Sequence, residues 1–256
     1  MKTKLAFSLL TVAMVLLAGS GQSLAKTLEC GIKHVQVMPS VKKEYRKGNI
    51  LKGSAFADLD PNNSWVKIPK WMAGTWTIKS EVAVYRKNFK TGHSTSQPHK
   101  FKAHQKFQYG MQTDRNGGIW HYVGVPYKSE TRLSRFDEIH VVSEKRFDSY
   151  SESRVSFRSV VNVIRTKRSS NEIHESYQQE SITTYTPLNE GVGDIKLSAS
   201  TKSFDQEGNP LIQADNEARV YKKEDFKEVR TYKNKDMRKL FKEFLNSTGR
   251  SNLLPF

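Results

Sequence analysis

The chain has 256 residues and a formal net charge of +16. Its single cysteine, Cys30, excludes an intramolecular disulfide, so stability has to come from a packed core. Thirteen Phe, ten Tyr and four Trp exclude the composition of a disordered chain, and the positive field favours anionic partners over cationic ones.

The first residues carry an address. Lys2 and Lys4 form a basic head, and Leu5 to Leu17 is apolar except for Ser8 and Thr11. Ser23-Leu24-Ala25 then puts small residues where a signal peptidase reads. Residues 1–25 therefore read as a secretory signal, with the mature chain starting at Lys26 in the periplasm or outside the cell. The apolar run is shorter than the ~20 residues of a spanning helix, so an integral membrane protein is not expected. Lys2 and Lys4 leave with the signal, which takes the mature charge to +14. In an exported setting nucleic acid is an unlikely partner, whereas anionic lipid and acidic glycan surfaces are available ones. Leu28 and Glu29 before Cys30 do not suit a lipoprotein signal.

Residues 26–64 read as a basic leader, with Lys42-Lys43, Arg46-Lys47 and the turn Asp60-Pro61-Asn62-Asn63. From Trp65 the pattern changes to period two, as in half-buried strands. Trp76, Ile78, Val82 and Val84 share one expected face. Phe101, Ala103, Gln105, Phe107, Tyr109 and Met111 share the next, with Lys102, Lys106 and Gln108 opposite. Asn116-Gly117-Gly118 predicts a hairpin turn before a strand over 119–125. Further strands are expected over 138–147, 154–165, 172–185, 194–204 and 218–222. Their turns are Arg168-Ser169-Ser170-Asn171, Asn189-Glu190-Gly191 and Glu207-Gly208-Asn209-Pro210. Met237, Leu240, Phe241, Phe244 and Leu245 then recur at helical spacing, with Asn234 as a candidate cap and Gly249 as a stop. The domain plan is thus a sheet over 65–233 followed by a helix and tail over 234–256. Consecutive strands with short links predict an all-β, antiparallel up-and-down architecture of about eight or more strands, closing to remove its edges, with a C-terminal amphipathic helix.

Gly74-Thr75-Trp76 opens the first clear strand. It resembles the Gly-x-Trp signature at the first strand of lipocalin-like barrels of the calycin superfamily. The resemblance implies that Gly74 allows a tight start, that Trp76 plugs the closed end, and that the barrel holds a ligand. The strand faces carry polar handles on apolar walls. These are Gln105 beside Phe107 and Tyr109, Ser159 beside Phe157, and Glu175 and Gln179 around Tyr177 on a face shared with Ile173, Thr183 and Tyr185. Such faces suit a small apolar or amphiphilic ligand. His93, His99 and His104 match no compact metal-ligand spacing, and His121, His140 and His174 fall in strands as surface or hydrogen-bonded residues. There is no Gly-x-Ser-x-Gly, His-Glu-x-x-His or phosphate loop. The expectation is a non-enzymatic binding protein with no metal or cofactor. The alternative is a basic docking protein for anionic lipid, glycan or another polyanion at the envelope.

Overall fold

The structure, a computed structural model, describes residues 32–188 and 193–255. The signal segment, Cys30 and the Asn189-Glu190-Gly191 turn lie outside the described residues. Gln36–Phe256 make one compact unit.

The frame of this unit is an open nine-stranded antiparallel sheet. The strands are β2 (Gly74–Asn88), β3 (Ser94–Thr95), β4 (His99–Tyr109), β7 (Tyr127–Arg132), β8 (Phe136–Ser151), β9 (Arg154–Lys167), β10 (Ile173–Pro187), β11 (Ile195–Phe204) and β12 (Pro210–Glu224). From one edge to the other, β3 and β4 both pair β2, and then come β12, β11, β10, β9, β8 and β7. The all-β antiparallel expectation holds, and so does the helix at the end. Closure does not, because β4 and β7 remain edges. Exposed lysines at 100, 102 and 106 of β4 blunt one edge, and β7 is a short, largely exposed strand.

A separate three-stranded sheet is built from β1 (Trp65–Ile68), β6 (Ile119–Tyr122) and β5 (Gln112–Thr113). The expected turn at Asn116-Gly117-Gly118 forms between β5 and β6. Asp114 Oδ1 accepts from the Asn116 and Gly118 amides at 2.9 and 2.8 Å, and its Oδ2 accepts from Trp120 Nε1 at 2.8 Å. The two-stranded ribbon β13 (Thr231–Tyr232) and β14 (Lys235–Asp236) turns through Lys233 and Asn234, both at positive φ. Helix α1 (Met237–Ser247) follows at once, capped by Asp236, whose side chain accepts from the Lys239 amide. Asn234 is therefore a turn residue and not the cap. No helix among the described residues is long and apolar enough to cross a membrane.

Three apolar clusters hold the unit. On the inner face of the large sheet, Trp76, Ile78, Val155, Phe157, Leu197 and Val220 pack with Ile68 and Met72. The helical stripe of α1 packs on Trp65, Trp120 and Tyr122 of the small sheet. On the outer face, the leader residues Val41 and Tyr45 cover Ile139, Val141, Ile164 and Ile173. The leader is stitched down by backbone bonds, from Met38 N to Gly208 O at 3.0 Å, Val41 N to Gln206 O at 2.8 Å, and Gly48 N to Ile173 O at 2.8 Å.

Bulges reverse two expected faces. Between Ile78 and Ser80 the register slips, so Glu81 stays with Ile78 on the inner face and Val82 turns outward. Between Ile173 and Glu175 a second slip sends Ile173 to the outer face, away from Tyr177. Strand β12 begins at Pro210, eight residues before its expected start, because its polar first half hides the period.

Gly74 lies at φ +135°, and a Cβ there would sit 2.6 Å from Glu224 O, so a side chain is excluded by backbone. Trp76 is fully buried and donates from Nε1 to Met72 O at 2.9 Å. In an open sheet there is no barrel end to plug, and Trp76 fills the inner core instead.

Replacing Trp76 with Ala is expected to cost about 3–5 kcal/mol in urea melts, whereas exposed Lys79→Ala should stay within about ±0.5 kcal/mol. Tyr45→Ala, which removes the leader's anchor and its hydroxyl bond to Ala55 O, is expected to cost about 3 kcal/mol in the same assay. A loss under about 1 kcal/mol would show that the leader contributes little to the folded unit.

Candidate functional site

A cavity of about 400 Å³ opens where β4, β6 and β8 meet the β13–β14 turn. That is within the usual range for small-molecule sites, roughly 300–1,000 Å³. Strand β4 brings Phe107 and Tyr109 to it, β6 brings His121, β8 brings Lys145, and the ribbon turn brings Lys233. A bulge in β8 makes this possible. Val142 pairs Val161 and Lys145 pairs Ser159, so an extra residue between them turns Lys145 and Phe147 onto the inner face.

The walls are aromatic. Tyr109 stacks on Phe157 at 6.0 Å between centroids and meets Phe107 edge-on at 5.5 Å. Its hydroxyl donates to the Tyr185 hydroxyl at 2.7 Å. Burial lifts the Tyr109 phenol well above its usual value and pushes Tyr185 up to about 12, so both stay protonated. Tyr127 adds another ring, with the Lys233 ammonium 4.3 Å from its centroid.

The polar groups are cationic or neutral, and among the described residues no acidic one lines the cavity. Lys145 Nζ lies 3.4 Å from His121 Nε2 and 5.6 Å from the centre of the Phe157 ring. Burial first, and the nearby Lys233 charge second, lower Lys145 to about 8. Burial, and then Lys145, hold His121 well below the ordinary imidazole range, so the ring is neutral at pH 7. His121 Nδ1 is buried without a hydrogen-bond partner among the described residues. Lys233 is also lowered by burial. Lys106, at the rim, is by contrast bridged to Glu224 at 3.6 Å.

The eight expected ligand-site residues divide into groups. Phe107 and Tyr109 line the cavity, Phe157 stands directly behind them, and Ser159 faces Lys145 across the strands. Gln105 is exposed on the edge strand and donates to Glu81 Oε1 at 3.3 Å. Glu175 and Tyr177 belong to an ionic cluster farther along the same face. There Arg165 bridges Glu138 and Glu175, each at 2.6 Å, and lies 6.0 Å from the Tyr177 ring. Gln179 pairs Val161, away from the cavity.

On β10 the deeper polar positions are the other parity. Ser176, Gln178 and Glu180 are buried on the outer face, where Gln178 Nε2 donates to Pro39 O of the leader at 2.6 Å. Glu180 is ion-paired there with Arg158.

His121, Lys145 and Lys233 are cavity residues that the sequence pattern does not single out. Lys145 stands in a run of charged residues, Glu144-Lys145-Arg146, that gives no local signal for an inward lysine, and the bulge that aims it has no sequence signature. His93, His99 and His104 are exposed, and among the described residues no group of three or more His, Cys, Asp or Glu is placed to hold a metal ion. No protein-family model, curated protein or solved structure matches the chain.

Lys145→Met is expected to raise stability near pH 7 by about 0.5–2 kcal/mol, since it removes a desolvated charge and keeps the side-chain length. Between about pH 8 and 10.5 the unfolded chain holds the Lys145 proton that the folded chain has lost. Wild-type stability therefore gains on the variant as pH rises through that window. Urea melts of both proteins at pH 7 and pH 9.5 test this, and a constant gap between them would contradict it.

Proposed function

We propose that the chain is an exported, non-enzymatic protein that binds a small apolar or amphiphilic ligand in the cavity between β4, β6, β8 and the ribbon turn. The observation that carries the reading is an aromatic cavity of about 400 Å³ with a few convergent polar groups at one side. Such a composition suits a ligand with an apolar body and one polar end. Export rests on the N-terminal pattern at residues 1–25. The Gly74-Thr75-Trp76 resemblance to lipocalin-like proteins points the same way, with the ligand at one end of an open sheet.

The competing reading, a docking protein for anionic lipid or glycan, is favoured by the mature charge of +14. Salt separates the two. A cavity ligand should survive washing in 1 M salt, where screening shortens the electrostatic range to about 3 Å, and a surface polyanion should not. Native mass spectrometry of freshly purified mature protein, washed at low and high salt, is expected to show a retained small molecule that Phe107→Ala loses. A protein free of small molecules whose capture by anionic vesicles vanishes in high salt would decide for the docking reading.

A further inference from the structure

Four lysines line the cavity, Lys106, Lys145, Lys233 and Lys235, with no acid among the described lining residues; burial lowers half-buried Lys145 and, more weakly, the largely exposed Lys233. Most strongly held cations elsewhere in the unit have a carboxylate. Arg158 has Asp148 and Glu180, Arg165 has Glu138 and Glu175, and Lys167 has Glu172. Lys145 and Lys233 have none within 4.0 Å among the described residues, and their close contacts are rings and His121.

The arrangement is electrostatically unfavourable by itself. Each ammonium has lost part of its hydration, and the two repel one another. The neighbouring rings offer only the negative faces of their π-systems, which are weaker partners than a carboxylate. His121 cannot serve as counter-ion, since it is neutral and its Nε2 already faces Lys145. Glu224 is bridged to Lys106, and Asp60, outside the lining, acts on the Tyr122 hydroxyl. A negative group entering the cavity would recover what these two charges lose.

The rest of the lining says what must accompany that charge. Phe107, Tyr109, Tyr127 and Val123 present apolar surface on the cavity wall. A bare inorganic anion would leave this surface facing water, whereas an alkyl or aryl body would cover it. We propose that the ligand of this cavity is an amphiphile with a singly charged oxyanion head, clamped between Lys145 and Lys233, whose apolar body lies against Phe107 and Tyr109. This rests on the ligand-binding reading above. It adds the class of head group and assigns the residues that select it. A carboxylate meets the requirement, since its two oxygens can each accept from one ammonium.

Isothermal titration with decanoate, decanol and decyltrimethylammonium, all below their micelle concentrations at pH 7, separates head from body. Wild type is expected to bind decanoate at least tenfold more tightly than decanol and to bind the cation least. In Lys145→Met/Lys233→Met the preference for decanoate should fall to within twofold, with decanol affinity kept. The exposed Lys90→Met should retain the full preference. If the double variant does not fold, Lys145→Met alone should still lose at least threefold of the preference. Equal binding of decanoate and decanol by wild type would overturn the head-group assignment and leave the binding reading standing. Survival of the preference in the folded lysine variants would overturn the role of these two residues. No binding of any of the three probes would remove the binding reading itself.

Discussion

A long open antiparallel sheet cannot cover its own faces. Strands of up to sixteen residues expose two broad surfaces and two edges, and a sheet of nine such strands is stable only when other parts of the chain bury what it leaves bare. The rest of this molecule answers that constraint. The leader, which could have been a passive linker, is drawn onto the outer face and tied there through its own backbone. The three-stranded sheet extends the inner core at one end, and α1 closes the back of that small sheet in place of packing on the large one. The cavity sits where these covers meet, at the junction of β4, β6, β8 and the ribbon, because two sheets and a turn converge there without enough side-chain volume to fill the gap.

The same constraint explains which parts are legible in the sequence. Strands with clean alternation, such as β9 and β11, and turns with glycine or Asn-Gly chemistry can be located, since local periodicity and turn conformation are written locally. So can the helical stripe of α1. Closure cannot, because it depends on how far the sheet twists and on what else covers its edges. Residues on the far side of a bulge are misassigned for a simple reason. One inserted residue reverses the parity of one part of a strand against the other, as for Val82 after the slip on β2 and Ile173 before the slip on β10, and no residue type announces the insertion. Burial of polar groups on the outer face of β10 is equally hidden, since it depends on a leader that approaches from more than a hundred residues away.

The site is half legible for the same reasons. Phe107, Tyr109 and Phe157 can be grouped because their strands alternate cleanly. Lys145 cannot, since only the bulge in β8 brings it inward. Lys233 belongs to a turn whose two residues both adopt positive φ, a shape set by the tight reversal of the ribbon, and its side chain reaches the cavity as a consequence of that reversal. Neither lysine sits in a motif. They are recognisable as a pair only after three separate elements have been placed.

Net charge and local charge therefore carry different information in this protein. A formal charge of +16 over the whole chain describes a long-range field that salt screens and that any polyanion would feel. Lys145 and Lys233 make a small part of that total, but they stand at a partly desolvated cavity, where screening is weaker and the absence of an acid is felt more strongly. Arg158 and Arg165 show how the same fold treats a cation it uses for structure: it surrounds it with carboxylates. These two lysines, with no carboxylate within 4.0 Å among the described residues, break that habit beside an apolar wall. Local departures of this kind, where stability is lower than the fold could achieve, are where a binding role is most economically sought.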